Sequence, residues 1–254
     1  LFSEDEKIKC CEGCKLKVAI TFIGTNRYLN FLPKYYENIE KYFLPDTEKV
    51  IIAFTDGELN ETPDNIKVYH QEHLNWPYIT LKRFEIINKA RQIIEECSHL
   101  VFIDADALPV SLITEKEFFN DKPLFGVHHP CHFLKMDPHT KAPGAYETNP
   151  KCEAYVDTSN GLPPIYWQGC FWGGQVPQVC AMLDDLEARV NKDLENNIVA
   201  LWHDETQINR YFLERVGDVY TFGPEYAYPE LFSDYCSFDP KIVHLKKDNS
   251  KYQQ

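Results

Sequence analysis

Short apolar runs alternate with helix-spaced apolar positions along the first 110 residues. Residues 17–23 (Lys-Val-Ala-Ile-Thr-Phe-Ile) form a near-continuous apolar run ending at Gly24, the pattern of a strand buried on both faces. Tyr28, Phe31, Leu32, Tyr35, Tyr36, Ile39, Tyr42 and Phe43 then recur at helical spacing until Pro45. Residues 49–54 predict a second strand, running into Thr55-Asp56-Gly57, and 66–69 a short third. A single helix is predicted over 80–97, with Leu81, Phe84, Ile87 and Ile94 on one face. Residues 99–103 predict the strand that delivers Asp104 and Asp106. Strands alternating with helices imply an α/β layer on a mostly parallel, twisted sheet with flanking helices. Ligands on such sheets bind outside the carboxyl ends of the strands, where Gly24, Asp56 and the Asp104/Asp106 pair all fall.

The second half has a different rhythm. Residues 124–128 predict a strand, and 134–164 hold five prolines in a long surface excursion, a length uncommon without a function. Residues 166–174 (Tyr-Trp-Gln-Gly-Cys-Phe-Trp-Gly-Gly) are aromatic with interspersed glycines. They read either as a core strand with close backbone approach or as a pocket wall. An amphipathic helix follows near 176–191, Trp202-His-Asp-Glu205 opens another, and 219–222 and 242–245 are short strands. There is no internal repeat and no low-complexity tract.

The 254 residues are 44% hydrophobic and 14% aromatic, a globular composition with room for a sizeable core. The formal charge is −13 and no basic stripe interrupts it, which argues against a nucleic-acid partner. An anionic substrate must then be neutralised locally, by a metal or a few placed cations. No apolar run approaches a membrane span, and no signal peptide is visible. A start at Leu1 rather than Met leads us to expect that something upstream was removed. Nine cysteines, an odd and scattered set, favour reduced thiols and a soluble cytoplasmic setting, with a Golgi lumen as the alternative if an anchor was lost. Cys10, Cys11 and Cys14 cluster without a second Cys/His pair at zinc spacing, and Asn60-Glu-Thr62 is a glycosylation sequon of near-chance frequency.

Asp104 and Asp106 are spaced i, i+2, so on a strand both carboxylates point the same way and suit a hard divalent cation holding a diphosphate. Asp204 and Glu205 serve either as an acidic helix cap or, for one of the two, as a carboxylate beside an anomeric carbon. Trp202 offers an apolar face to a sugar ring. His128 and His129 follow a strand and suit a metal, a sugar hydroxyl or a structural role.

Together these stretches resemble the retaining glycosyltransferases of family six, the group of the ABO blood-group transferases and α-1,3-galactosyltransferases with their soluble bacterial and viral relatives. The likeness runs through Phe54-Thr-Asp56, Trp76 with Thr80-Leu-Lys-Arg83, Asp104-Ala-Asp106, Leu124 to Pro130, Tyr166 to Gly174, Trp202 to Glu205 with Asn209-Arg-Tyr-Phe212, and Pro224-Glu-Tyr226. The resemblance implies a GT-A fold, with a Rossmann-like nucleotide half at 17–110 and an acceptor half at 111–245 in one catalytic domain. An irregular leader at 1–16 and a flexible basic tail at 246–254 flank it. It implies a UDP-sugar donor, an oligosaccharide or glycan acceptor, and Mn²⁺, with Mg²⁺ as the alternative. By position, it implies donor contacts at Ile23, Tyr28, Arg83, Asp104, Asp106, Gln168, Cys170, Asp204 and Lys247, with the metal on Asp104 and Asp106. Acceptor contacts fall at His129, Trp202 and Glu205, and Glu205 is the implied nucleophile. Cys170, bulkier than the usual Gly or Ala, favours galactose over N-acetylgalactosamine, whereas Gln168 is polar where the blood-group enzymes carry Leu or Met. Lys246 or Lys251 could stand in for Lys247. The competing readings are an inactive UDP- or sugar-binding module and an Asp-dependent phosphotransferase, the latter disfavoured by Leu108 two places after Asp106.

Overall fold

The computed structural model describes residues 16–59, 61–135 and 146–247. The expected leader up to residue 15, the Cys10/Cys11/Cys14 cluster, Asn60 of the sequon, 136–145 of the proline-rich excursion and the tail from 248, with Lys251, lie outside the described residues. Seven strands build the main sheet: β1 (Lys17–Ile23), β2 (Glu48–Thr55), β3 (Ile66–His70), β4 (His99–Ile103), β6 (Leu124–His128), β7 (Trp167–Gln175) and β8 (Val219–Phe222). Their order is β3-β2-β1-β4-β7-β6-β8. Every pairing is parallel except the two made by β7, so the sheet is mostly parallel, as expected of a GT-A fold. A small second sheet joins β5 (Ala107–Pro109), β10 (Ile242–His244) and β9 (Tyr228–Pro229).

Alternation within the buried strands sends side chains into two apolar layers. Ala19, Val50, Ile52 and Phe54 pack under α3 (Arg83–Asn88), α4 (Arg91–Glu95), α7 (Val176–Glu195) and α8 (Asp204–Glu214). Val18, Ile20, Phe22 and Ile51 pack on the opposite face against α1 (Leu32–Tyr42), with Ile242 of the small sheet in the same layer. Before α1, residues 26–31 form a 3-10 turn rather than the first turn of the predicted helix, and α1 ends just ahead of Pro45.

The helix predicted over 80–97 is broken into α2 (Tyr78–Leu81), α3 and α4. The buried residues explain the breaks. Leu81, Phe84, Ile86, Ile87, Ala90 and Ile94 are all covered. On one straight helix they would spread over about 220° of the circumference at 100° per residue. Kinks at Lys82 (φ −90°, ψ 12°) and Ala90 (φ −101°, ψ 18°) re-aim successive turns toward the sheet.

Candidate active site

Asp104 and Asp106 leave the sheet just past β4, but not on a strand. Ala107 N–H donates to Asp104 C=O at 2.9 Å, so residues 104–107 close a tight turn before β5. The turn, rather than strand alternation, brings the carboxylates together. Their partners come from far along the chain. β10 pairs antiparallel with β5 and sets His244 opposite Ala107. His244 Nε2 lies 3.4 Å from Asp106 Oδ1, and Lys247 Nζ contacts Asp106 Oδ2. Burial alone would raise the Asp106 carboxyl, yet His244 and Lys247 hold it well below the usual carboxylate range.

Arg83 is buried and links three groups. Nη1 donates to Gly169 C=O at 2.8 Å and meets Asp204 Oδ2 at 2.8 Å; Nη2 meets Asp104 Oδ1 at 3.1 Å. The guanidinium also lies over the Phe102 ring, 4.2 Å from its centroid. Its Nε is buried without a hydrogen bond. One cation thus stitches the end of β4, a β7 glycine and the start of α8.

That glycine sits on a bulge. Gly126 faces Trp172 on β7 while the next residue, Val127, faces Gln168, so 169–171 have no partner on β6. On the other edge β4 still holds them, with Asp104 N–H donating to Cys170 C=O at 2.9 Å. Gly169 N–H then donates to Glu205 Oε2 at 2.9 Å, while Tyr166 hydrogen-bonds the same carboxyl. Asn209 pins α8 to β7: Oδ1 accepts from Trp167 N–H at 2.9 Å, and Nδ2 donates to the carbonyls of Trp167 (2.7 Å) and Glu205 (2.8 Å). Burial pushes both the Asp204 and the Glu205 carboxyls up to about 7, against the opposing pull of Arg83 on Asp204 and Gly169 N–H on Glu205. Just before them, His203 holds φ 53°, ψ −120°, a strained backbone for a non-glycine residue. A Cβ on Gly169 would stand 3.3 Å from both Asp204 Oδ2 and Glu205 Cβ. We expect Gly169→Ala to lower kcat/KM about tenfold by displacing that carboxylate. Thermal denaturation should move by no more than about 2 °C; wild-type kinetics in the variant would show that Glu205 tolerates the shift.

A cavity of about 430 Å³ opens at the carboxyl ends of β1 and β4. Ile23, Tyr28, Arg83, Asp104, Asp106, His129, Gln168 and Lys247 line it, so eight of the residues expected from sequence meet on one wall system. His129 is buried, and its Nδ1 accepts from Cys131 N–H at 3.1 Å. Burial among His132, His244 and His128 drives its pKa down to about 3, so the ring is neutral and carries its proton on Nε2. That Nε2 and Gln168 Oε1 are both buried without partners.

Four expected residues stand outside this lining. Asp204 and Glu205 are not in the lining itself: Asp204 is paired with the lining residue Arg83, and Glu205 is bonded to Gly169, the neighbour of the lining residue Gln168. Cys170 is buried in the apolar layer with Phe171 and Ile103, so Gln168 is the member of that pair facing the cavity. The steric argument from Cys170 therefore finds no support at this wall. Trp202 is partly buried with Nε1 unpartnered, while Trp76 meets His203 edge-to-face, centroids 4.9 Å apart, and lines the cavity. Sequence reasoning missed His244, Gly169 and the Tyr166 hydroxyl as site residues. The legible signals were a polar His244 inside the apolar run 242–245 and a glycine at 169 inside an aromatic strand.

Residues 9–251 match the family model for glycosyltransferase family 6. The chain belongs to glycosyltransferase family 6. It is 27% identical over 238 residues to the O-antigen biosynthesis glycosyltransferase WbnI of Escherichia coli, covering 92% of this chain and 97% of that protein. It is 23% identical over 242 residues to histo-blood group ABO system transferase 2 of Rattus norvegicus, covering 90% of this chain and 68% of that one. Globoside alpha-1,3-N-acetylgalactosaminyltransferase 1 of Homo sapiens is 24% identical over 226 residues, covering 85% and 62%. This family 6 chain is a UDP-sugar-dependent hexosyltransferase, with a nucleotide-sugar donor and a glycan acceptor. Family 6 enzymes generally depend on a divalent metal, and Asp104, Asp106 and His244 form a group able to bind one. Among the described residues no helix is long and apolar enough to cross a membrane, and six cysteines are free thiols.

Proposed function

We propose that this enzyme moves galactose or N-acetylgalactosamine from a UDP-sugar, with retention, onto a β-galactoside in α-1,3 linkage, and that it uses Mn²⁺. The observation that carries the reading is the seat of Glu205: a partly buried carboxylate held by a backbone N–H and a tyrosine, next to Asp204 and the Arg83 cation that lines the cavity. In this reading Tyr28 and Ile23 hold the uridine, and Arg83 with Lys247 supplies positive charge to the anionic donor. Glu205 attacks the anomeric carbon as its bond to the diphosphate oxygen breaks, and the electron pair leaves with UDP. The acceptor hydroxyl then attacks from the donor's original face, its proton passing to the diphosphate oxygen of the departed UDP, and the Glu205 carboxylate is released, giving net retention. His129 Nε2–H and Gln168 are free to bond sugar hydroxyls, and Asp204, held by Arg83, orients the donor sugar.

The donor set fits a divalent cation: two carboxylates and an imidazole each offer one atom, all within 4.8 Å of one another. Asp104 and Asp106 would hold the ion, which when bound neutralises charge on the diphosphate. The test is slow hydrolysis of a UDP-sugar panel with Mn²⁺ and no acceptor. UDP-galactose or UDP-N-acetylgalactosamine should turn over first. Chelation should lower that rate by at least about 100-fold, and added Mn²⁺ should restore it. UDP binding without turnover of any sugar would overturn the enzyme reading, and indifference to chelation would overturn the metal.

A further inference from the structure

Lys247 and His244 approach Asp106 from the same short segment. The main chain around His244 is fixed on both sides: β10 pairs His244 with Ala107, and Leu245 N–H donates to Asp106 C=O at 2.9 Å. The backbone that carries the imidazole is therefore held next to the turn that carries the carboxylates. Lys247 spans two features of the cavity. Its ammonium contacts Asp106 Oδ2 and lies 4.9 Å from the centroid of the Tyr28 ring. A monovalent cation thus sits on the carboxylate that a divalent one would need.

We infer that His244 is a third protein ligand of the divalent cation, and that the Lys247 ammonium is an internal counter-ion which the metal displaces from Asp106. The inference rests on the reading of Asp104 and Asp106 as metal carboxylates. Three protein ligands let the ion bind before any nucleotide does, whereas two carboxylates alone would leave most of its shell to water and diphosphate. A nitrogen donor also favours Mn²⁺ over Mg²⁺, which prefers an all-oxygen shell. Displacement has a use: Lys247, driven off Asp106, becomes available to the diphosphate as the donor arrives.

The two residues then give variants of opposite sign. MnCl₂ is titrated calorimetrically into the full chain without nucleotide, for the wild type, His244→Ala and Lys247→Met. Wild type should bind one ion saturably. His244→Ala should bind it at least about tenfold more weakly, and Lys247→Met about three- to tenfold more tightly, because a competing positive charge is gone. Pulsed paramagnetic resonance of bound Mn²⁺ should show ¹⁴N coupling in the wild type; this readout needs no variant and decides the matter even if His244→Ala misfolds. Absence of ¹⁴N coupling, equal affinity in His244→Ala, or unchanged or weaker affinity in Lys247→Met would overturn the inference. Wild type that takes up Mn²⁺ only together with UDP would overturn it while leaving the proposed function standing. Failure to take up Mn²⁺ with or without UDP would remove the metal reading beneath both.

Discussion

Glu205→Gln should lower sugar transfer by about 10³-fold or more while leaving UDP affinity within about threefold of wild type. The amide keeps the shape and can still accept from Gly169 N–H, but it cannot attack or stabilise an anomeric centre as a carboxylate does. The same carboxyl sets a pH dependence. It must be ionised to work, and burial pushes it up to about 7 with Asp204 beside it. The kcat/KM profile of the wild type should therefore carry an acid limb near pH 7 that belongs to the pair, activity rising with pH through it. Stability moves the other way. The folded pKa is above the unfolded one, so between about pH 4.5 and 7 the native state holds more protons than the unfolded chain. Stability is fullest below this window and falls as pH rises through it. Glu205→Gln removes that penalty, so at pH 8 the variant should be more stable by about 3 kcal/mol, or about 6–12 °C in Tm. Its Tm advantage should shrink toward pH 5. Transfer near the wild-type rate, or a variant less stable at pH 8, would remove Glu205 from the role given to it.

Arg83→Met should act in the opposite sense on the fold. Arg83 is the buried counter-charge of Asp204 and Asp104, with side-chain exposures of 7%, 7% and 25%. Removing it strands carboxylates that the sheet end cannot solvate, a loss of about 3–5 kcal/mol. For a chain of this size that is a fall of about 6–20 °C in Tm. The loss should be smaller at pH 5.5 than at pH 8, because Asp204 already protonates near 7 and can shed its charge. UDP-sugar affinity should fall at least tenfold, about 1.4 kcal/mol, since the cavity of a chain with formal charge −13 loses one of its few cations. Differential scanning at both pH values together with UDP calorimetry separates these effects. A pH-independent change in Tm would show that Asp204 is not the group left uncompensated.

Much of the scaffold was legible because its strands are short, apolar and bounded by turn residues. The run 17–23 and the strand 99–103 appear with the limits their patterns imply. Legibility failed where packing overrode periodicity. Residues 80–97 carry a helical period, but six buried side chains needed more than one straight helix could present to the sheet. Likewise the i, i+2 spacing of Asp104 and Asp106 correctly indicated convergent carboxylates, though a turn and not a strand produces it. Gly169 shows the limit most clearly. A glycine in an aromatic strand signals a close approach, but nothing local says that its C=O would take Arg83 and its N–H would take Glu205.

The residues alone determined the order of the main-sheet strands along the chain, the acidic charge that forces local neutralisation of an anion, and which side chains have suitable chemistry. These depend on composition and on spacing within one element, which a linear chain carries in full. Only the folded chain decided that Arg83, Gly169 and Asp204 share one cluster, that His244 and Lys247 both meet Asp106, and that Gln168 rather than Cys170 faces the cavity. Those contacts join residues up to 141 positions apart. They arise from sheet order, a bulge and an antiparallel pairing at a second sheet, none of which leaves a period in the sequence.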